Sequence, residues 1–319
     1  MTTFAPTDSA APAAPALPRV LMLVNRGSGR RSREALAAVA EAARARAGFE
    51  VEVIAKPAAL MRRAREAAEA GAPVIAAAGG DGTMSGVADA IRGTGTRLGV
   101  VPMGTFNFLA RSLGIPEDPE EALGVLERGQ ARPILLGEVN GRSFVNNASL
   151  GAYASVLQMR ETTYKRWGRS RLAAYWSVIT AMATLYRPLH MAISVDGRPP
   201  ERMRSPMAFV ATCAYQLEQY GFEGVDAVRR GELALFLAPD VGRLQLLWLA
   251  LRVMAGRMRR GVDYRLVTGR EILIETARPN RLVARDGERE RMRGPYRFRA
   301  LTDALEVIAP SEAPLPEAA

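Results

Sequence analysis

Short, wholly apolar runs alternate with longer amphipathic segments through the first third of the chain. The apolar runs at 20–24, 74–78 and 98–101 are too short for helices and are typical of fully buried strands. The segments between them carry Ala, Leu, Arg and Glu in helical patterns, and two of them end at glycine, Gly48 and Gly71. Because strands and helices alternate in this way, the sequence predicts an N-terminal α/β domain whose parallel sheet has helices on both faces.

The pattern changes near Pro133, where helical segments give way to successive short strands. The dipeptide Asn140–Gly141 lies between two of these strands and suits a type I′ hairpin turn, and Asp196–Gly197 follows another strand. The sequence therefore predicts a C-terminal domain built as an antiparallel β-sandwich. Two helical stretches interrupt the strands, near 156–185 and near 243–260.

These patterns divide the chain into four parts. Residues 1–18 and 311–319 offer little to bury, so both are expected to be disordered tails. The α/β domain is predicted over 19–131, and the sandwich with its two helical insertions over 132–310. Residues 1–18 lack the features of a secretory signal, and no apolar run reaches the roughly 18 residues that a spanning helix needs, so we expect a cytoplasmic protein.

The charge balance indicates anionic partners. Lys and Arg number 43 against 33 Asp and Glu, for a formal net charge of +10, which favours phosphates, acidic lipid or nucleic acid. We expect no nucleic-acid partner, because the basic residues are spread along the chain and form no helix-turn-helix or zinc pattern. The lone Cys213 and lone His190 exclude a disulfide framework and Cys- or His-rich metal sites, and no nucleophile motif accompanies His190.

Three glycine-containing loops follow three of the predicted strands, at 25–29, 79–83 and 102–107. In an open parallel sheet, ligands bind at the carboxyl ends of the strands, and glycine lets backbone N–H groups approach an anion closely. Asp81 places a carboxylate in the second loop, where it suits Mg²⁺ or a hydroxyl proton. The chain has neither the P-loop pattern nor the dinucleotide fingerprint after its first strand, which argues against P-loop NTPases and ordinary Rossmann dehydrogenases.

These motifs resemble those of the diacylglycerol kinase catalytic family, which includes bacterial soluble lipid kinases and sphingosine kinases. The Gly-Gly-Asp-Gly-Thr segment at 79–83 is also shared with NAD kinases and phosphofructokinase-like proteins. Gly-Thr-Phe-Asn at 104–107, followed by Ala-Arg-Ser-Leu-Gly-Ile-Pro at 110–116, singles out the lipid-kinase branch. Segment 144–151 and Asp-Gly-Glu at 286–288 add to a resemblance that covers most of the chain.

The resemblance implies an NAD-kinase/diacylglycerol-kinase-like fold, in which an ATP-binding α/β domain and a β-sandwich substrate domain flank a cleft. It further implies transfer of the γ-phosphoryl group of ATP to a lipid hydroxyl, with Glu288 as general base and Asp81 as Mg²⁺ ligand or second base. The candidate nucleotide-binding residues are Asn25, Gly27, Ser28, Gly29, Gly79, Gly80, Asp81, Gly82, Thr83, Ser85, Gly104, Thr105 and Asn107. The alternative for Asp286–Glu288 is a hairpin turn on a charged surface, because four arginines surround it.

Several positions depart from the family pattern. Phe108 stands where an Asp is usual, Ser85–Gly86 replaces Asn-Glu, and Lys56 lies about where the family often has a nucleotide-contacting Thr. The family's structural Mg²⁺ site uses an Asp-Asp-Gly-Leu-like stretch, for which this chain has Arg-Arg-Gly-Glu at 229–232. This replacement argues against the structural metal, although Asp226 could replace part of its site.

Two stretches combine arginines with aromatic and apolar residues, 164–185 and 243–260. Such helices suit an anionic membrane surface, so peripheral contact with the inner membrane face is one interpretation. The other is packing on the sandwich or on a second subunit, which leaves a homodimer open. Two rival functions also stay open: a nucleotide-binding regulatory protein without catalysis, and an NAD kinase, for which no ribose-binding pattern follows the segment 79–83.

Overall fold

The computed structural model describes residues 19–27, 33–151, 188–242, 245, 248–249, 251–252 and 255–311. The predicted N-terminal tail, nearly all of the predicted C-terminal tail and the helical stretch near 156–185 lie outside these residues, as do Ser28 and Gly29. In the stretch 243–260, the described residues are helical at 245, 248, 249, 251 and 252 and form turns and loop from 255. No helix in the described ranges is both long and apolar enough to cross a membrane.

The first domain is a mainly parallel, six-stranded sheet with helices packed against it. Its strands are β1 (Val20–Asn25), β2 (Phe49–Ile54), β3 (Val74–Gly79), β4 (Arg97–Pro102), β5 (Gln130–Pro133) and the last strand of the chain, β18 (Glu306–Ala309). They lie in the order β2-β1-β3-β4-β18-β5, and only β5 runs antiparallel to its neighbour. The helices are α1 (Arg33–Arg44), α2 (Pro57–Glu69), α3 (Asp81–Ile91), α4 (Phe108–Ser112) and α5 (Pro119–Arg128).

The apolar runs of the sequence account for this sheet. Every residue of β1 and of β3 is buried, because both strands have neighbours on each side and helices against their faces. Helix α2 begins at Pro57, where the missing N–H of proline costs nothing, and it buries Leu60, Ala64 and Ala67 along one stripe. The predicted α/β domain is therefore confirmed.

The second domain consists of two antiparallel sheets of six strands each. Their orders are β10-β9-β14-β17-β6-β7 and β13-β12-β11-β8-β15-β16. The strands are β6 (Leu136–Val139), β7 (Arg142–Phe144), β8 (Asn147–Gly151), β9 (Leu189–Val195), β10 (Glu201–Ser205), β11 (Met207–Ala211), β12 (Leu233–Leu237), β13 (Arg265–Gly269), β14 (Glu271–Thr276), β15 (Asn280–Arg285), β16 (Glu288–Arg293) and β17 (Tyr296–Leu301). Two short helices, α6 (Ala214–Gln219) and α7 (Val225–Arg229), accompany them.

One hydrophobic core lies between the two sheets of the second domain. Leu150 and Val210 reach it from one sheet, and Ile272 and Phe298 from the other, and all four are fully buried. Residues that alternate with these point to the opposite face, where Phe236 packs with α6 and α7. Because successive side chains of a strand point to opposite faces, this arrangement is the antiparallel sandwich that the sequence predicts.

The last strand of the chain returns to the first domain. Glu306–Ala309 falls within the range 132–310 that the sequence assigns to the sandwich, yet it pairs with β4 and β5 in the first sheet. Three of its four residues are buried apolar ones. An interior position in the sheet removes this apolar surface from water on both faces, which accounts for the placement.

The turns carry the backbone conformations that their residues favour. Asn140 and Gly141 both have positive φ, at 47° and 83°, which confirms the type I′ turn. The pairs Asp196–Gly197 and Asp286–Gly287 share this conformation, and the latter joins β15 to β16. Helix α3 begins at Asp81, and an acidic residue is favourable in a first helical turn.

Candidate active site

The ends of β1, β3 and β4 meet at one edge of the first sheet. These strands are parallel neighbours, with Val24 opposite Ala78 and Gly79 opposite Pro102. The segments that follow them therefore lie side by side, and α3 starts two residues after Gly79. The three glycine-containing loops share this edge as predicted, the first of them being described as far as Gly27.

Asn25 ties the first loop to the second. Its Nδ2 donates to Oγ1 of Thr83 at 2.9 Å, and its Oδ1 accepts from the N–H of Gly27 at 3.0 Å. Asn25 and Thr83 are both buried. The side-chain amide of Asn25 therefore fixes the first loop relative to the start of α3.

The second and third loops meet backbone to backbone. A Cβ on Gly104 would lie 2.7 Å from Cα of Gly80, and a Cβ on Gly79 would lie 2.5 Å from Oγ1 of Thr83. The fold therefore excludes side chains at these positions. A Cβ on Gly82 would meet nothing within 4 Å, so open space borders the first turn of α3. Such a helix start, with N–H groups that precede the intrahelical bonds, is suited to an anion.

Asn107 shapes the third loop from within. Its backbone is left-handed, with φ of 51°, and its Oδ1 accepts from the N–H of Gly104 at 2.9 Å. Its Nδ2 donates to Oε1 of Glu117, also at 2.9 Å. The buried amide of Asn107 is thus engaged with protein groups, while Thr105, in the middle of the loop, is half-buried.

Asp81 presents one carboxylate oxygen to the protein and leaves the other without a partner. Its Oδ2 accepts from the N–H of Asn107 at 2.9 Å, whereas Oδ1 is buried and has no hydrogen-bond partner in the described chain. The pKa of Asp81 is raised to about 6, mainly by burial and in part by the nearby carboxylate of Asp286. The N–H groups at the start of α4 act in the opposite direction. A buried, unpartnered carboxylate oxygen is costly, which makes it the strongest sign of a ligand at this edge.

Asp286 joins the second domain to the first. Its carboxylate accepts four hydrogen bonds, from the N–H groups of Val145, Asn146 and Asn147 and from Oγ of Ser85 in α3. Burial raises the pKa of Asp286, although these four donors favour its charged form. Ser85, predicted to bind nucleotide, instead makes its contact across the domain junction.

Glu288 follows Asp286 closely in the chain. It is exposed at the start of β16, two residues after Asp286, and stands opposite Arg285 in the hairpin. The segment 286–288 is therefore both a type I′ hairpin turn and a point of contact with the first domain. The two interpretations of the Asp-Gly-Glu sequence are compatible, because Asp286 makes the contact and Gly287 supplies the turn.

Phe108 contributes to an aromatic contact between the domains. Its ring stacks on that of Phe106, with the ring centroids 5.4 Å apart, and lies 6.5 Å from the ring of Tyr220, which follows α6. In the same helix as Phe108, Arg111 donates to the hydroxyl of Tyr215 at 3.3 Å. The residue at the family's usual Asp position therefore packs at the junction between α4 and α6.

The other departures lie away from this junction. A Cβ on Gly86 would lie 2.4 Å from Cε of Met61, so the missing side chain allows α2 and α3 to approach closely. Lys56 is exposed immediately before α2. Neither position contacts Asp81 through any described hydrogen bond.

The carboxylates around residues 229–232 face guanidinium groups. Arg229 pairs with Glu218 at 2.6 Å, and Arg230 pairs with Glu232 at 3.5 Å. Within the described ranges, no cluster of three or more His, Cys, Asp or Glu side chains is arranged to hold a metal ion. The residues present here therefore do not fit an Asp-rich structural metal site, and Asp226 is exposed at the start of α7.

Sequence reasoning missed the polar contacts that hold the two domains together. It assigned no role to Asp286, and nothing local marks Ser85, 201 positions away, as its partner. It also missed the ion pair between Arg92, which follows α3, and Glu138 in β6, at 2.7 Å. Only the Asp-Gly dipeptide carried a usable signal, because Asp tolerates the left-handed conformation that places its carboxylate inside a turn.

Comparison with known families covers both domains. Residues 19–139 match the family model described as the diacylglycerol kinase catalytic domain. Residues 147–309 match the model described as the YegS C-terminal NAD kinase beta sandwich-like domain.

Two curated relatives match part of the chain. A Pseudomonas aeruginosa protein named "Probable lipid kinase YegS-like" is 42% identical over 133 residues, which are 41% of this chain and 44% of the relative. The diacylglycerol kinase of Bacillus subtilis is 38% identical over 143 residues, which are 42% of this chain and 45% of the relative. The chain thus spans less than half the length of these relatives.

Solved structures share the fold over nearly the whole chain. A diacylglycerol kinase from Bacillus anthracis is similar with a TM-score of 0.66 at 17% identity, covering 93% of this chain and 98% of its own. An NAD kinase from Archaeoglobus fulgidus in complex with ATP has a TM-score of 0.52 at 15% identity, covering 92% and 94%. At such identities the similarity is one of fold alone.

Proposed function

The chain belongs to the diacylglycerol kinase catalytic family, and from this premise we propose that it transfers the γ-phosphoryl group of ATP to a hydroxyl group of a lipid. The names of the two curated relatives support a lipid as acceptor. The two-domain fold, with a carboxylate from each domain near the junction, supports transfer between a nucleotide on one side and an acceptor on the other.

One observation carries the proposal: Oδ1 of Asp81 is buried, with no partner among the described residues, at an edge of the sheet that is lined by backbone and small residues. If this turn had only a structural role, we would expect the oxygen to be exposed or hydrogen-bonded. A cation or a hydroxyl group in the site would satisfy it.

ATP would lie across the ends of β1, β3 and β4 as the phosphate donor. The start of α3 and the glycine-containing loops supply N–H groups, and the absence of side chains at Gly79 and Gly104 lets these loops pack closely together. Thr83 already accepts a hydrogen bond from Asn25, which leaves its own hydroxyl proton free for a phosphate oxygen. Gly27, Ser28, Gly29, Gly80, Gly82 and Thr105 would contribute to the same site, as the family resemblance implies.

Asp81 is the residue that fits Mg²⁺. This ion takes one or two carboxylate oxygens and completes its shell with water and phosphate, which matches one free carboxylate oxygen beside a phosphate site. With a pKa of about 6, the carboxylate of Asp81 is mostly ionised at neutral pH. When bound, the ion would neutralise charge on the β- and γ-phosphates.

Glu288 would act as the general base. Its carboxylate would accept the proton of the lipid hydroxyl as that oxygen bonds to the γ-phosphorus, while the bond from the γ-phosphorus to the bridging oxygen breaks and ADP leaves. Since Asp286 is bound to Ser85, the turn that carries Glu288 is held to the helix that begins at Asp81. This bond would keep the base at a constant distance from the phosphates.

The acceptor would be presented at a membrane surface. A net charge of +10 favours an anionic bilayer, which a cytoplasmic protein would meet peripherally at the inner membrane face.

Transfer of label tests this function. The full chain is incubated with Mg²⁺ and ATP labelled at the γ-phosphorus, together with a total lipid extract or with NAD. We expect the label in a lipid product that forms only with the extract. Label in NADP would instead indicate an NAD kinase, and ATP binding by calorimetry without transfer to either acceptor would indicate a regulatory protein.

A further inference from the structure

Large apolar side chains are exposed mainly in one part of the second domain. Among the described residues four such side chains are exposed, and they are Val53 at 47%, Trp248 at 61%, Leu251 at 43% and Val262 at 61%. All but Val53 lie in the stretch 248–262. Exposed apolar groups that gather in this way indicate a contact surface, whereas a single one needs no explanation.

Trp248 and Leu251 lie on one side of their helical segment. They are three positions apart, which places them on the same helix face, and both are exposed. Leu249, between them, is buried and faces the domain. The outward face of this segment therefore carries two large apolar side chains, beside the exposed Gln245.

An ion pair brings the chain next to Val262 close to this helical segment. Nη2 of Arg252 lies 3.0 Å from Oδ2 of Asp263. Leu251 precedes Arg252 and Val262 precedes Asp263, so both apolar residues border this pair. We refer to Trp248, Leu251 and Val262 as the apolar patch.

Basic side chains surround the apolar patch. Arg257, Arg259 and Arg260 are exposed. Asp263 is buried, and its charge is balanced by the guanidinium groups of Arg252 at 3.0 Å and Arg259 at 3.7 Å. Among the described residues, Glu223 also pairs with this group, at 3.5 Å from Arg260. The patch therefore sits in a surface with excess positive charge.

The patch is joined to the domain junction through the segment after α6. A Cβ on Gly221 would lie 2.6 Å from the carbonyl oxygen of Gly256, so the two backbones touch. The N–H of Glu223 donates to the hydroxyl of Tyr264 at 3.1 Å. Tyr220, at the start of the same segment, contacts Phe108 beside the third loop. Whatever binds the patch is thus held close to the junction where the lipid would enter.

We propose that the apolar patch and the arginines around it dock the protein on an anionic bilayer, with Trp248, Leu251 and Val262 at headgroup depth and the guanidinium groups on lipid phosphates. The inference rests on the proposed function, because a kinase of bilayer lipids must bring its cleft to the headgroups. A second copy of the chain fits the patch less well, since a symmetric contact sets its arginines against each other.

Vesicle sedimentation of the full chain tests the docking surface. We compare phosphatidylcholine vesicles with vesicles that also contain phosphatidylglycerol, for the wild type, Trp248→Ser/Val262→Ser and Arg259→Glu/Arg260→Glu. Matched controls are Val53→Ser, an exposed apolar residue elsewhere, and Arg202→Glu, an exposed arginine on β10. We expect both double variants to lose about tenfold or more in affinity for the anionic vesicles, and the controls to bind as the wild type does.

Two further measurements make the outcome decisive. If a serine variant fails to fold, Trp248→Phe is compared with the wild type on vesicles with brominated chains, and we expect it to lose most of the fluorescence quenching.

Turnover of a soluble short-chain acceptor separates the docking proposal from the proposed function. We expect the patch variants to turn over this acceptor at the rate of the wild type. A wild type that binds anionic vesicles through the patch yet phosphorylates no lipid would contradict the proposed function and support the docking proposal.

Three results would overturn the docking proposal. One is equal loss of binding in the patch variants and in the controls. The second is wild-type binding that does not distinguish neutral from anionic vesicles. The third is a dimer in sedimentation velocity that Trp248→Ser/Val262→Ser converts to monomer, which would assign the patch to a second copy of the chain.

Discussion

Ser85 in α3 of the first domain donates its hydroxyl hydrogen to Asp286 of the second domain, with an O···O distance of 2.5 Å. The bond joins the helix that begins at Asp81 to the turn that leads to Glu288. The same carboxylate accepts from three backbone N–H groups of the segment 145–147, which leads from β7 into β8 in the second domain. The position of Glu288 relative to the phosphate site thus depends on a bond between side chains distant in sequence.

Replacement of Ser85 by Ala should therefore affect turnover more than nucleotide binding. We expect kcat for lipid phosphorylation to fall about tenfold or more, because a small displacement of a catalytic group is costly, while KM for ATP changes little. Ser85→Thr, which keeps the hydroxyl, should restore much of the rate. The control is Ser194→Ala, which removes a hydroxyl bonded to the carbonyl oxygen of Arg198 in another turn. Equal kcat for Ser85→Ala and Ser194→Ala would argue against the positioning role.

Two glycines at the sheet edge should respond oppositely to the addition of one methyl group. Gly104→Ala places a Cβ 2.7 Å from the backbone of Gly80, so we expect a loss of about 1–3 kcal/mol in the free energy of unfolding. The Cβ of Gly82→Ala would have no atom within 4 Å, so this variant should leave the free energy of unfolding unchanged or raise it by up to about 1 kcal/mol. It should nevertheless weaken ATP binding, since the methyl group enters the space meant for phosphate. Urea unfolding and calorimetry measure the two effects, and unchanged ATP affinity in Gly82→Ala would place the nucleotide elsewhere.

Asp81 should make the ligand-free protein less stable at neutral pH. Its pKa is about 6 in the folded protein against 3.8 for the ordinary side chain, so the folded state binds more protons between these values. The stabilisation that this proton provides is complete below pH 3.8 and is lost as the pH rises through 6. We expect Asp81→Asn to unfold with a free energy about 1–3 kcal/mol higher than the wild type above pH 6, and the difference to shrink toward pH 4. Urea unfolding without nucleotide or metal measures this, and a constant difference across the range would contradict the assignment.

Cys213 should be inert in the folded protein. It is buried, and burial raises the pKa of its thiol to about 12. Because the thiolate is the reactive form, we expect the native protein to react with a disulfide reagent on the order of 100-fold more slowly than the urea-unfolded chain. As Cys213 is the single cysteine, the unfolded chain should release one equivalent. Equal rates for native and unfolded protein would show that the segment before α6 opens readily.

Local patterns were sufficient to predict most of the elements and the meeting of the glycine-containing loops at one edge of the sheet. The apolar runs at 20–24 and 74–78 predict β1 and β3, and the Asn140–Gly141 turn follows from the backbone preferences of its two residues. Since parallel strand ends share one edge, the loops at Asn25 and Gly79 could be brought together before the structure was known.

Long-range placements could not be predicted in this way. The return of β18 to the first sheet depends on where a mostly apolar strand is buried most completely, and no local pattern encodes that choice. The bond of Ser85 to Asp286 and the use of Asn107 to shape its own loop likewise depend on tertiary contacts. The family resemblance implies nucleotide contacts for Ser85 and Asn107, and in the structure protein groups bind their side chains.

The central claim is that a phosphate site at the edge of the first sheet works with a base from the second domain. The most direct test measures ATP binding and lipid phosphorylation for Glu288→Gln beside the wild type. We expect ATP to bind both proteins with similar affinity, and turnover by Glu288→Gln to fall by on the order of 1,000-fold. Turnover near that of the wild type, with ATP still bound, would contradict the account.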